Sequence, residues 1–124
     1  MDNYTLAYLA GAMDSDGSFG IKKSSYNQRN DNKHWNLRYT GRCGLKQVTP
    51  EIPDLLHDTF GGSHYIQKAS VENGKPLWTW DCQDLKANVA CKALLPYLRV
   101  KRKQVEIILE LGELRAKRYQ TPAY

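Results

Sequence analysis

Apolar and polar positions alternate between two periods along the chain, and the period changes where glycine or proline stands. From Tyr4 to Met13 the residues Leu6, Leu9 and Met13 recur at helical spacing, beside a second stripe of Ala7, Ala10, Gly11 and Asp14. That pattern predicts a helix with one small-residue face, capped by Thr5 or Asn3 and closed at Gly17 by a backbone of unusual dihedrals. Ser18 to Tyr26 then alternates as a strand, with Phe19 and Ile21 on one side and Ser18, Gly20, Lys22 and Ser24 on the other. The polar stretch Asn27 to Lys33 is the hairpin loop. In the second strand Trp35, Leu37, Tyr39, Cys43 and Leu45 share one face, and Asn36, Arg38, Thr40, Arg42 and Lys46 share the other.

The second half repeats the scheme. Pro50 opens a helix whose apolar side is Ile52, Leu55, Leu56 and Phe60, and Gly61 and Gly62 end it. Ser63 to Val71 and Leu77 to Cys82 flank a Glu72-Asn73-Gly74-Lys75 turn, with Trp78, Trp80 and Cys82 inward. On β-sheet alternation Tyr65, Gln67, Thr79 and Asp81 then face outward and Ile66 inward, which obliges His64 and Lys68 to share the covered side. Asp84 stands where it can cap a helix running to Leu95, which Pro96 interrupts. A last helix from about Lys101 to Arg118 turns Val105, Ile108, Leu109 and Gly112 inward. The expected fold is α+β in the order αββαββαα, one domain over residues 1–124, with one face of an antiparallel sheet left polar.

Composition narrows the function. With 41% hydrophobic and 25% charged residues the chain can build a core, and its net charge of +5 favours a polyanionic partner. No apolar run approaches the roughly 20 residues of a membrane span, and Met1-Asp2-Asn3 is not the start of a signal peptide. Cys43, Cys82 and Cys91 lack the spacing of a disulfide or zinc framework, so the expected setting is an intracellular, reducing compartment. His34, His57 and His64 form no metal-ligand spacing.

The run Tyr8-Leu9-Ala10-Gly11-Ala12-Met13-Asp14-Ser15-Asp16-Gly17-Ser18-Phe19 resembles the signature of the LAGLIDADG homing endonucleases. Three further landmarks follow in order: Lys46-Gln47 before the helix ending in Phe60-Gly61-Gly62-Ser63, Trp78-Thr79-Trp80, and Leu95-Pro96-Tyr97-Leu98-Arg99-Val100-Lys101. The resemblance covers roughly Tyr4 to Arg118. It implies an antiparallel sheet forming a DNA-binding saddle, and a homing endonuclease that hydrolyses phosphodiester bonds in double-stranded DNA at a long near-palindromic site. It also implies Mg2+ or another divalent cation as cofactor, held by Asp16 as the last acid of the motif, with the carbonyl of Ser15 as a further ligand.

The resemblance also implies, by matching position, that Gln47 and Lys101 are the polar and basic residues of the cutting site. On the residues alone, Gln47 is also an ordinary strand-end polar group and Lys101 the start of a solvated basic helix. Asp14 reads rather as a partner for backbone groups at the end of the helix. The motif occurs once, so a homodimer is implied, with Ala7, Ala10 and Gly11 as the interface; the same small residues would also serve to pack the helix on its own sheet. Lys22, Ser24, Tyr26, Asn36, Arg38, Thr40, Arg42, Lys46, Tyr65, Gln67, Thr79 and Asp81 form the expected DNA face, since a β-ribbon fits the major groove and its Arg and Asn side chains can read bases there. The competing readings are a protein of the same fold that binds nucleic acid without cutting, as regulator or intron maturase, and a generic basic RNA-binding module.

Overall fold

The computed structural model describes residues 2–27, 35–69 and 71–120, with side chains over 2–25, 37–69 and 71–117. The element order is the expected one: α1 (Asn3–Asp16), β1 (Gly17–Asn27), β2 (Trp35–Gln47), α2 (Glu51–Phe60), β3 (Ser63–Gln67), β4 (Leu77–Gln83), α3 (Leu85–Leu94), a 3-10 turn (Leu95–Tyr97) and α4 (Arg102–Gln120). The strands form one antiparallel sheet in the order β1-β2-β4-β3. The expected hairpin loop over Asn27 to Lys33 lies, after Asn27, outside the described residues.

The helices cover one face of the sheet. Leu9, Ala10 and Met13 of α1, Leu56 of α2, Ala90 and Leu94 of α3, and Val105 and Ile108 of α4 close over Cys43, Leu45, Trp80 and Cys82 of the two central strands. Trp80 also donates its indole N–H to the carbonyl of Gly61 at 2.7 Å, which ties the end of α2 to the sheet. Gly61 (φ 74°) and Gly62 (φ 96°) end α2 in the left-handed region, where a side chain is strained. Beyond Gly41, over which Ile108 lies, the apolar face loses its cover. Leu37 and Tyr39 are exposed there instead of buried as their alternation suggests, and so is Ile21 on β1.

Several local expectations change. The cap of α1 is Asp2, whose carboxylate accepts the Thr5 backbone N–H at 2.6 Å. β3 ends at Gln67 rather than Val71, because the chain turns through Asn73 (φ 67°) with the Gly74 N–H donating to the Val71 carbonyl at 3.1 Å. Ile66 pairs in register with Trp78, yet on this short edge strand it is half exposed. His64 reaches the α2 side as expected, with its Nε2 2.7 Å from Asp54, whereas Lys68 is exposed. Asp84 precedes α3 but makes no side-chain cap bond.

Gly17 has an ordinary extended backbone (φ −81°, ψ 170°), so its reason is space rather than dihedral freedom. An added Cβ would stand 2.8 Å from Met13 Cα and 2.6 Å from Met13 Sδ. Gly17→Ala should therefore cost about 1–3 kcal/mol in a denaturant titration. An unchanged midpoint would show that the α1–β1 junction yields freely.

Candidate nucleic-acid interface and active site

Strand alternation carries one set of side chains to the uncovered face of the sheet. Register aligns Lys22 with Thr40 and Ser24 with Arg38 across β1 and β2, then Arg42 with Gln83, Gly44 with Asp81 and Lys46 with Thr79 across β2 and β4. Tyr65 stands opposite Thr79 on β3, with Gln67 two residues along on the same face. Lys22, Arg38, Arg42, Lys46, Tyr65 and Gln67 are exposed, so most of the expected recognition set is presented to solvent together.

Two of that set are not available. Thr79 is fully buried and Thr40 is 6% exposed. Both are short side chains among long ones: Thr79 lies between Lys46 and Tyr65, and Thr40 faces Lys22 with Arg38 and Arg42 flanking it on its own strand. They floor the face instead of touching a partner. The side chains of Tyr26 and Asn36 lie outside the described residues. Tyr65 donates its hydroxyl to Asp81 at 2.8 Å, and that carboxylate holds the phenol above its ordinary pKa, so these two expected contacts engage each other. Gln83, absent from the expected set, continues the alternation of Thr79 and Asp81 and accepts from the Lys22 ammonium at 3.4 Å.

At the end of α1 the two motif acids diverge. Asp14 turns inward and accepts the backbone N–H groups of Arg99 at 2.8 Å, Val100 at 3.2 Å and Lys101 at 3.0 Å. Lys101 answers with its ammonium, which donates to the carbonyls of Met13 at 2.9 Å and Gly17 at 2.5 Å. The two residues thus clamp the carboxyl end of α1 to the approach of α4. Asp16 stays exposed: Gln47 donates its amide N–H to Oδ2 at 3.0 Å, and the Ser15 hydroxyl lies 3.4 Å from Oδ1. Asp16, Ser18, Arg42, Lys46 and Asp81 line a hollow of about 150 Å3 that joins this carboxylate to the basic sheet face.

On α1 the three expected interface residues separate. Ala7 and Gly11 are exposed, in one stripe with Tyr4 and Tyr8, whereas Ala10 is fully buried in the chain's own core. Ala10 lies about 100° round the helix from Gly11, which turns it toward Leu9 and Met13. The cysteines are free and buried, and hydrogen bonding with Cys82 and Cys91 together with burial pushes the Cys43 thiol well up, leaving it inert. Among the described residues no group of three or more His, Cys, Asp or Glu side chains is placed to hold a metal ion, and no helix is long and apolar enough to cross a membrane.

Sequence comparison alone finds no match, neither to a protein-family profile nor to a characterised protein. Comparison of folds does. The chain is similar to the homing endonuclease I-CvuI in complex with the I-CreI target in the presence of 2 mM Mg, with a TM-score of 0.63 and 18% identity over 89% of this chain and 66% of that one. It is similar to the archaeal intron-encoded I-Vdi141I complexed with DNA, with a TM-score of 0.61 and 16% identity over 94% and 72% of the two chains. The LAGLIDADG homing endonuclease I-LtrWI bound to target DNA gives 0.64 and 15% identity over 93% of this chain and 38% of that one. The chain therefore has the α+β fold of the LAGLIDADG homing endonucleases, and it spans just under two thirds of the I-CvuI chain.

Proposed function

We propose that the chain is a subunit of a homodimeric, divalent-cation-dependent endonuclease that binds double-stranded DNA on its polar sheet face and cuts beside Asp16. The observation that carries this reading is the exposed Asp16 carboxylate opening into the same hollow as Arg42 and Lys46. A duplex held by the two cations would lie against that acid.

The donor set fits a hard cation. Asp16 offers carboxylate oxygens on a solvent-facing helix end, and the Ser15 carbonyl is a second oxygen donor beside it. Bound there, Mg2+ would neutralise charge on the scissile phosphate and acidify a water. The remaining work falls to the chain's own side chains. Gln47 fixes the direction of Asp16 through its amide N–H. Lys101 uses two of its three N–H groups to hold the end of α1, which leaves one to donate to a phosphate oxygen or a water. Arg42 and Lys46 hold the DNA backbone or bases, and Asp81, which accepts from the Tyr65 hydroxyl, lines the same hollow.

One chain brings one Asp16, whereas cutting both strands requires two such acids about a common axis. The exposed stripe of Tyr4, Ala7, Tyr8 and Gly11 on α1 supports a second copy as the source of the other. Identical subunits would read a palindromic or near-palindromic site.

A plasmid carrying a site selected from a random library tests the reading. Cleavage with magnesium and none without it is expected; tight binding with no cleavage would instead make the protein a DNA-binding regulator or maturase of this fold. Within that assay Arg42→Ala should cost about 1–3 kcal/mol and relax preference at one base pair per half-site. A uniform loss over all sequences would make Arg42 a phosphate contact.

A further inference from the structure

Asp84 does something its place in the sequence does not announce. It precedes α3 without capping it, and its carboxylate is divided between two guanidiniums. Oδ2 accepts from Arg38 Nη2 on the polar sheet face, and Oδ1 accepts from Arg115 Nη1 of α4 at 2.7 Å. The side chains of Asp84 and Arg115 are 29% and 24% exposed, whereas Arg38 is 48% exposed. The acid is therefore anchored from the helical side and reaches a cation on the other.

The backbone is bent to allow this. Asp84 has φ 57° and ψ −126°, in the left-handed half of the map that non-glycine residues rarely occupy. Its N–H donates to the Gly41 carbonyl at 2.9 Å and its own carbonyl accepts from Asn88 at 3.0 Å, so both sides of the bend are held. Such strain tends to collect where a site needs it.

We infer that Asp84 is a positioning residue for Arg38 and sets the base preference of that arginine. This rests on the proposal that the sheet face binds DNA. A free arginine samples many rotamers, and ordering it on binding weakens recognition. A guanidinium tied at one nitrogen to an anchored carboxylate keeps its other N–H groups in a fixed plane, which is the fork geometry that matches the O6 and N7 atoms of guanine. The pairing also explains how an acid is tolerated beside a polyanion: two guanidiniums offset one carboxylate. Lys22, Ser24, Thr40 and Gln83 complete the hollow of about 150 Å3 around the pair, so the arginine is seated rather than loose.

The test is selection of bound DNA from a random library in calcium, using the whole chain as wild type, Arg38→Ala, Asp84→Asn and the double variant. Asp84→Asn keeps size and an acceptor while removing the charge. It should flatten preference at the same base pair as Arg38→Ala, with discrimination there falling about tenfold and the other positions intact. The double variant should be no worse at that position than Arg38→Ala alone. Should Asp84→Asn fail to fold, Arg115→Ala removes the anchor from outside the strained residue and should flatten the same position. An unchanged profile in folded Asp84→Asn or Arg115→Ala, a uniform loss at all positions, or no altered base pair in Arg38→Ala would overturn the inference while leaving DNA binding intact. A wild-type chain that binds no DNA would overturn the proposed function itself.

Discussion

Asp16→Asn is expected to abolish strand cleavage, with a fall on the order of 10²–10³-fold or more, while DNA affinity in calcium changes little. Asparagine has the shape of aspartate: its amide oxygen can still accept from Gln47, and its NH2, in place of the other oxygen, can donate to the Ser15 hydroxyl oxygen, so the end of α1 keeps its local bonds. What disappears is the anionic ligand. Arg42 and Lys46, which are exposed on the sheet face, are unchanged, so on the proposed function the duplex would still be held. Single-turnover cleavage and a binding titration in calcium separate the two effects. Full cutting by the variant would remove Asp16 from the chemistry, and an equal loss of binding and cutting would make it a structural residue.

The second large effect is expected from Gly11→Leu. Gly11 is exposed, and a Cβ built on it meets no atom within 4 Å, so the isolated subunit has room for the larger side chain. Replacing a mid-helix glycine by leucine should even raise subunit stability slightly, by about 0.5–1 kcal/mol. Any damage must then come from outside the chain. If two α1 helices pack along the Tyr4, Ala7, Tyr8 and Gly11 stripe, overpacking should weaken the dimer by about 10–100-fold and remove double-strand cleavage with it. Ala10→Leu would not be a clean test, since Ala10 is buried in its own subunit. Sedimentation of both proteins, alongside thermal melts, gives the answer. A wild-type chain that stays monomeric on DNA and still cuts both strands of an asymmetric site would overturn the dimer.

The order of elements was legible because period changes coincide with punctuation: Gly61-Gly62 after α2 and Pro96 after α3 mark real ends. The sheet face was legible from alternation, which places Arg38, Arg42 and Lys46 on one side without any knowledge of tertiary structure. Alternation gives direction but not height. Thr40 and Thr79 point the right way and are too short to emerge between their neighbours. Helical spacing has the same limit, since Ala7, Ala10 and Gly11 look like one small-residue patch although the core claims Ala10. Asp84 was misread for a different reason. An acid before a helix satisfies the capping rule, and only its long-range partners Arg38 and Arg115 show where the side chain goes.

The clamp between Asp14 and Lys101 has a practical consequence for retargeting. Each of these side chains bonds main-chain atoms only: amides of residues 99, 100 and 101 on one side, carbonyls of Met13 and Gly17 on the other. Those carbonyls belong to every residue type, and those amides to every type except proline. The identities of Arg99 and Val100 are therefore open to replacement without loss of the clamp. On the proposed function, a library that randomises exposed sheet positions outside the Asp16 hollow, such as Lys22, Arg38 and Gln67, can be built on the chain while the segment carrying Asp16 keeps its geometry, so the reading surface would be rewritten independently of the blade.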